Sequence, residues 1–147
     1  MKSFIERGGL WVVAQGAFLA GIALAPGKPI VLLSPGSFVS AAGAALLVSA
    51  ATNLGSSLSP LPEPVQGGAF VERGAYRLIR HPIYSGVILG AFGFAAATQS
   101  WSRCALALAL AVMLDAKARN EEQRLSARFP EYAAYAQRTK RFVPGLY

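Results

Sequence analysis

Residues 82–125 read PIYSGVILGAFGFAAATQSWSRCALALALAVMLDAKARNEEQRL. Two apolar runs meet at a short polar break, Thr98-Gln99-Ser100, and the second run ends in a charged segment. Pro82 suits the first turn of a helix, where its missing N–H has no helical partner. The first run therefore predicts a helix from Pro82 to about Ser100. The second starts near Ser102, stays apolar to Leu114, and continues through Asp115, Lys117, Arg119, Glu121, Glu122 and Arg124. No helix breaker follows until Pro130. So short a turn makes the two helices antiparallel neighbours. The start of one then lies beside the end of the other, which brings His81 and Tyr84 close to Glu121 and Glu122. Gly86 and Gly90 form a GxxxG pair, read as a packing face.

Upstream, Gly8 to Ala25 is a run of 18 residues without charge, with Gln15 its one strongly polar side chain. At about 1.5 Å per residue it barely crosses a hydrocarbon core of about 30 Å. Pro26, Gly27 and Pro29 break it. A second run extends from Phe38 to about Leu54 and is rich in small residues (Ala41, Ala42, Gly43, Ala44, Ala45), which let membrane helices approach closely. The expected architecture is all-α: an integral-membrane bundle of about four transmembrane helices with a cytoplasmic helical extension and a C-terminal tail. Residues 1–147 form one domain, with two spans in 1–54 and a loop, a helical hairpin and a tail in 55–147. The 55–80 loop carries Pro60, Pro62, Pro64, Gly67 and Gly68, and a loop that long is often functional. The tail, Glu131 to Tyr147, is expected to hold a short helix and to end extended at Phe142-Val143-Pro144-Gly145.

Composition agrees with a membrane setting. Of the 147 residues 54% are hydrophobic and 14% charged, against about 25% charged in an ordinary soluble domain. The net charge is +7, but long apolar runs separate the basic residues. The lipid bilayer is therefore the expected partner and nucleic acid is not. With the termini and the long loop on one side, that side holds Lys2, Arg7, Arg73, Arg77, Arg80, Lys117, Arg119, Arg124, Arg128, Arg138, Lys140 and Arg141, and the other only Lys28 and Arg103. Positive charge marks the cytoplasmic face, so both termini and the loop are placed there, in an inner or plasma membrane. A signal peptide is the rival reading of the N-terminus, since Lys2 and Arg7 precede an apolar run ending in Ala23-Leu24-Ala25. That run exceeds the usual 7 to about 15 residues of such a segment. Cys104 and His81 are the only cysteine and histidine, which excludes an internal disulfide and any multi-cysteine or multi-histidine metal site. The small-residue faces permit a dimer and leave the oligomeric state open.

Chemistry concentrates where the hairpin ends meet. The start of the third helix offers partial positive charge and free N–H groups, which suit a carboxylate. Tyr76 and Tyr84 offer hydroxyls and ring faces, and ring faces attract cations. Glu121 can accept hydrogen bonds from a ribose or attract a cation. An amino-acid-bearing sulfonium nucleoside uses all of these. Each feature also has a plain structural role: Arg80 as an interfacial anchor, Tyr76 and Tyr84 as an aromatic belt, and Glu121 and Glu122 as a solvated face paired with Lys117 and Arg124.

Taken together, the residues resemble the isoprenylcysteine carboxyl methyltransferase family and its relatives among the phospholipid methyltransferases. The matching elements are Leu58-Ser59-Pro60-Leu61-Pro62, Gly74-Ala75-Tyr76, Arg80-His81-Pro82-Ile83-Tyr84-Ser85-Gly86, Glu121-Glu122-Gln123-Arg124-Leu125, Phe129-Pro130-Glu131-Tyr132 with Tyr135, and Arg141-Phe142-Val143-Pro144. They cover roughly residues 53–147. The resemblance implies a methyltransferase that binds S-adenosylmethionine, with S-adenosylhomocysteine as product, and takes a lipid-like or prenylated acceptor from the bilayer. It places the donor against Ala69, Phe70, Val71, Tyr76, His81, Pro82, Ile83, Tyr84 and Glu121, and gives catalytic roles to Arg80, Lys117 and Glu121. Where family members have an arginine linked to the acceptor, this chain has Lys117, which keeps the charge and loses the flat bidentate fork. Carboxylate methylation is the favoured expectation and methylation of a phospholipid amine the alternative. A nicotinamide-dependent membrane reductase and a non-enzymatic membrane scaffold are the remaining readings.

Overall fold

The computed structural model describes residues 2–147, which form five α-helices and two short 3-10 turns with no strand among the described residues. The helices are α1 (Gly9–Leu24), α2 (Pro35–Leu54), α3 (Pro82–Ala97), α4 (Trp101–Arg128) and α5 (Tyr132–Arg138). Local chemistry sets their starts. Ser34 caps α2 by accepting from the Ser37 N–H at 3.2 Å, with Pro35 in the first turn. Ser100 caps α4 by accepting from the Arg103 N–H at 3.3 Å. Both arrangements satisfy N–H groups that a helix leaves open. The long fourth helix runs through Asp115 to Arg128 without interruption, as its breaker-free sequence predicts.

Helices α2 and α3 meet backbone to backbone. A Cβ added at Gly86 would lie 2.6 Å from the Gly43 carbonyl oxygen and 2.8 Å from the Leu47 nitrogen. One at Gly93 would lie 2.7 Å from the Gly36 carbonyl oxygen. Between these contacts the Ser40 hydroxyl donates to the Gly90 carbonyl at 2.9 Å. On α3 a Cβ would thus strike α2 at Gly86 and Gly93, whereas Gly90 meets α2 through its own backbone, its nitrogen 2.5 Å from a Cβ added at Gly43. The antiparallel helices stay in register two turns apart, and a Cβ at Gly90 meets nothing within 4 Å. Gly86→Ala is therefore expected to lower stability by about 1–3 kcal/mol through overpacking against rigid backbone, while Gly90→Ala stays near neutral. Thermal unfolding of the two variants in one detergent checks this, and equal midpoints would contradict the packing.

Helix α4 has α1 and α3 as neighbours, and Ile22, Ala91, Ala107, Leu110 and Leu114 form the buried cluster between them. At the end away from the tail, two linkers are pinned together. The Lys28 N–H donates to the Thr98 carbonyl at 2.8 Å, and its ammonium donates to Gln99 at 2.6 Å. The Arg103 guanidinium donates to the Ala25 carbonyl at 3.1 Å and sits 4.4 Å from the centre of the Phe94 ring. The only two basic residues assigned to that side thus act as staples between the chain segments there.

One segment, Pro35–Ser57, is both long and apolar enough to cross a membrane. Helices α1 and α3 are apolar but have 16 residues each, about 24 Å at the helical rise. In α4, Arg103 on one side and Asp115 with Lys117 on the other leave only Cys104 to Leu114 uncharged. Four fully sufficient spans are therefore not what the helix lengths provide. Large apolar side chains still point outward on every one of these helices, among them Leu10, Val13, Phe38, Val48, Leu89, Leu108 and Val112. The tail departs from the extended end expected for it. The Phe142 and Val143 N–H groups both donate to the main-chain oxygen of Tyr147 at 2.7 Å, and Gly145 adopts a φ of 74°. A turn that needs a left-handed residue forms where a glycine permits it.

Candidate functional site

The tail holds the start of α3 in place. The Arg80 N–H donates to the Lys140 carbonyl at 2.7 Å and the His81 N–H to the Arg141 carbonyl at 3.0 Å. The Ser85 hydroxyl donates to the Phe142 carbonyl at 2.8 Å. These bonds orient His81, which is 5% exposed, toward α4. Its ring stacks on Tyr84 with centroids 5.2 Å apart and an interplanar angle of 3°. The Tyr84 hydroxyl donates to Glu121 Oε2 at 2.6 Å. His81 Nε2 lies 3.1 Å from Glu122 Oε1, and Nδ1 lies 3.9 Å from Glu121 Oε2. The hairpin thus brings together the imidazole, phenol and carboxylates that its short turn predicts.

The two adjacent glutamates face different environments. Glu122 accepts from Arg80 Nε at 2.9 Å and from Arg141 at 3.1 Å on each oxygen, besides its contact with His81. Burial alone would push its carboxyl up; the hydrogen bonds from His81, Arg141 and Arg80 outweigh that and hold it well below the usual carboxylate range. Glu121 instead lines a cavity of about 360 Å³, together with His81, Tyr84 and Lys117. That volume lies within the range of about 300–1,000 Å³ common for small-molecule sites. Lys117 is 1% exposed; its ammonium donates to Gln15 Oε1 at 2.8 Å and lies 5.1 Å from the Tyr84 ring centre.

Of the residues singled out by the sequence, Ala69, Phe70, Val71, Tyr76, Arg80, His81, Ile83, Tyr84, Lys117 and Glu121 all line this cavity. Pro82 does not; it is buried as the first residue of α3. Arg80 borders the cavity, but its guanidinium is committed to Glu122 and to the Ala136 and Thr139 carbonyls. The pairing of Lys117 and Arg124 with the glutamates along one helix face does not form. Arg124 donates to Glu63, Asn120 and the Glu6 carbonyl instead.

Two parts of the wall escape the sequence reading. Glu63 anchors the proline-rich loop to Arg124 and to Lys2, the latter at 2.6 Å. It is the only charged residue between Leu58 and Val71, a signal the sequence does carry. Gln15 comes from α1, far from the hairpin in sequence. The wall also holds a group of rings already named with the resemblance, Phe70, Phe129, Tyr132 and Tyr135, with Phe70 5.2–5.9 Å from each of the others. The Tyr135 hydroxyl donates to the Tyr76 carbonyl at 2.7 Å, and burial pushes its phenol up to about 12. Among the described residues no group of three or more His, Cys, Asp or Glu side chains could hold a metal ion.

Comparison with known proteins adds two findings. The family model for phospholipid methyltransferases matches residues 33–131. The cobalt-zinc-cadmium resistance protein CzcN of Cupriavidus metallidurans is 44% identical over 82 residues, which cover 55% of this chain and 38% of that protein. The nickel-cobalt-cadmium resistance protein NccN of Alcaligenes xylosoxydans xylosoxydans is 44% identical over 77 residues, 52% of this chain and 36% of that protein. The chain therefore spans less than two fifths of the length of these curated relatives.

Proposed function

The chain belongs to the phospholipid methyltransferase family, and from that membership we propose that it is an integral-membrane enzyme methylating a lipid-like acceptor with S-adenosylmethionine. The family acts on membrane substrates and uses that donor. The observation that carries the reading is the Tyr84–Glu121 contact at 2.6 Å on the wall of the cavity. Bound S-adenosylmethionine supplies an electrophilic methyl group on a sulfonium centre.

The residues present fit such a ligand. An aromatic ring face and a carboxylate side by side attract a sulfonium cation. The first-turn N–H groups of α3, at Ile83 and Tyr84, have no intrahelical acceptor and suit an amino-acid carboxylate. Phe70, Tyr76 and the neighbouring rings suit a flat base. His81 holds Tyr84 in place by stacking, and Ala69 to Val71 close the loop side against water. Methyl transfer needs alignment of donor and acceptor more than covalent help from the protein.

The acceptor is assigned from Lys117. A buried ammonium with Gln15 as its sole hydrogen-bond partner favours an acceptor carboxylate, whose charge it would hold next to Tyr84. The second reading, N-methylation of a phospholipid amine, is favoured by the description of the family itself. We place α1, α2, α3 and the first half of α4 in the bilayer, the shorter helices with local thinning. The tail and the 55–80 loop then lie on the cytoplasmic side, where the basic residues gather.

S-Adenosylhomocysteine at a hundredfold excess over its Kd is expected to stabilise the detergent-solubilised protein by about 2.7 kcal/mol, roughly 5–10 °C in Tm for a chain of this size. No shift, or a shift with NADPH instead, would remove the methyltransferase reading. Labelled donor offered with carboxylate and amine lipids separates the two acceptors, because methyl esters are base-labile and N-methyl groups are not.

A further inference from the structure

One wall of the cavity is an irregular strap, in which Leu58 to Val65 and Gly68 to Val71 all face the space. Main-chain bonds barely hold it. From Ser59 to Glu72 the one main-chain bond among the described residues is local, from the Gly68 N–H to the Val65 carbonyl at 3.0 Å. A segment with so few backbone partners opens at lower cost than the helices around it. Side chains tie it down instead. At one end Phe70 packs among Phe129, Tyr132 and Tyr135. At the other, the Glu63 carboxylate accepts from Lys2 at 2.6 Å and from Arg124. Beside it, the Arg128 guanidinium donates to the Pro64 carbonyl at 3.1 Å. The polar ties to α4 and to the N-terminal segment thus converge on Glu63 and Pro64. Upstream, the chain leaves α2 at Gly55, whose φ of 53° favours glycine and where an added Cβ would meet nothing within 4 Å.

We propose that this strap is a lid, and that the Glu63–Arg124 ion pair is the latch that sets how fast a polar nucleoside enters and leaves the cavity. This rests on the methyl-donor reading of the same cavity. A charged, water-soluble ligand does not arrive through apolar helices, because stripping its polar groups of water is costly. The strap is tied to Lys2, Arg124 and Arg128, and so closes the cavity on the side where the basic residues gather. Glu63 is also the only charged residue between Leu58 and Val71, so the strap has a single ionic anchor. Its side chain and that of Arg124 are 23% and 26% exposed. A pair so placed can hold a lid shut and still release it. Lids of this kind set rates of binding and product release rather than the chemical step. Arg124 does not line the cavity, so it acts on exchange only through the strap.

The test uses the full chain in detergent and labelled S-adenosylhomocysteine, which lacks the sulfonium charge that Glu63 could attract directly. Association and dissociation rates are measured for wild type, Glu63→Gln, Arg124→Gln and the double variant. Each single variant is expected to raise both rates about fivefold, the scale of one partly exposed ion pair. Because the latch closes the empty and the filled cavity alike, Kd stays within about twofold. The double variant exchanges no faster than either single one, since both remove the same pair. Added salt speeds exchange in wild type and leaves Glu63→Gln nearly unchanged, because screening weakens an ion pair that the variant lacks. Unchanged rates in both single variants overturn the proposal. So does a weaker Kd with the association rate unaltered, which is the mark of a lost wall contact, and so does a double variant whose effects multiply. If wild-type protein binds no S-adenosylhomocysteine, the methyltransferase reading itself fails. If it binds with rates that neither substitution moves, only the latch falls.

Discussion

Glu121→Gln is expected to lower methyl transfer by about 100-fold while leaving the protein folded. Glutamine still offers an oxygen to the Tyr84 hydroxyl, which now donates to Glu121 at 2.6 Å, so the local packing keeps its hydrogen bond. What it removes is the negative charge on the cavity wall. A hydrogen bond or contact to a charged partner contributes about 1.5–3 kcal/mol, which is roughly 10- to 150-fold in kcat/KM. The charge state of the ligand separates this from general damage. S-Adenosylmethionine is cationic at sulfur and S-adenosylhomocysteine is not. Glu121→Gln should therefore weaken the first strongly and the second little. Calorimetry with both ligands decides: equal losses for the two, or none for either, would remove the electrostatic role assigned to Glu121.

The juxtaposition at the centre of the site is readable from the chain because few choices exist. A three-residue break between two apolar helices leaves only an antiparallel return, and helix rise then sets Tyr84 opposite Glu121. The end of α1 follows from Pro26 in the same way, whereas α2 starts at Pro35, three residues before the apolar run that begins at Phe38, because Ser34 caps it. Contacts between helices that share no short turn are harder to read. Small residues occur all along α2 and α3, and the sequence marks which are small without marking which meet. Hence Gly86 and Gly90 stand out as a motif, while the positions on α3 without room for a Cβ are Gly86 and Gly93. Arg80 shows the same difficulty for charge. Its commitment to Glu122 and to the Ala136 and Thr139 carbonyls depends on where the tail returns. That return runs through backbone bonds from Arg80 and His81 to Lys140 and Arg141, which no side-chain pattern encodes. The aromatic wall made by Tyr132 and Tyr135 depends on it too.

Glu122→Gln is expected to destabilise the protein by about 3–5 kcal/mol, the cost of breaking a buried ion pair from one side, and to lower Tm by about 10 °C or more. Glu122 does not line the cavity, so its neighbour's effect on ligand binding is not expected of it. Its carboxylate gathers Arg80, His81 and Arg141, and these side chains tie α3, α4 and the tail together. Glutamine leaves Arg80 and Arg141 half-buried with no counter-charge at that point. The same carboxyl sets an acid limit. Its folded pKa lies below the unfolded value of about 4.3. Its contribution is thus fully present at neutral pH and declines only as pH falls from that value through the folded one. Wild-type stability should hold from pH 7 to about 5 and drop below about 4.5, whereas Glu122→Gln should be weak throughout and lose less over the acid range. Thermal unfolding of both proteins across that range checks the sign. A variant melting within about 2 °C of wild type at pH 7 would mean that Arg80, His81 and Arg141 are held by something other than Glu122.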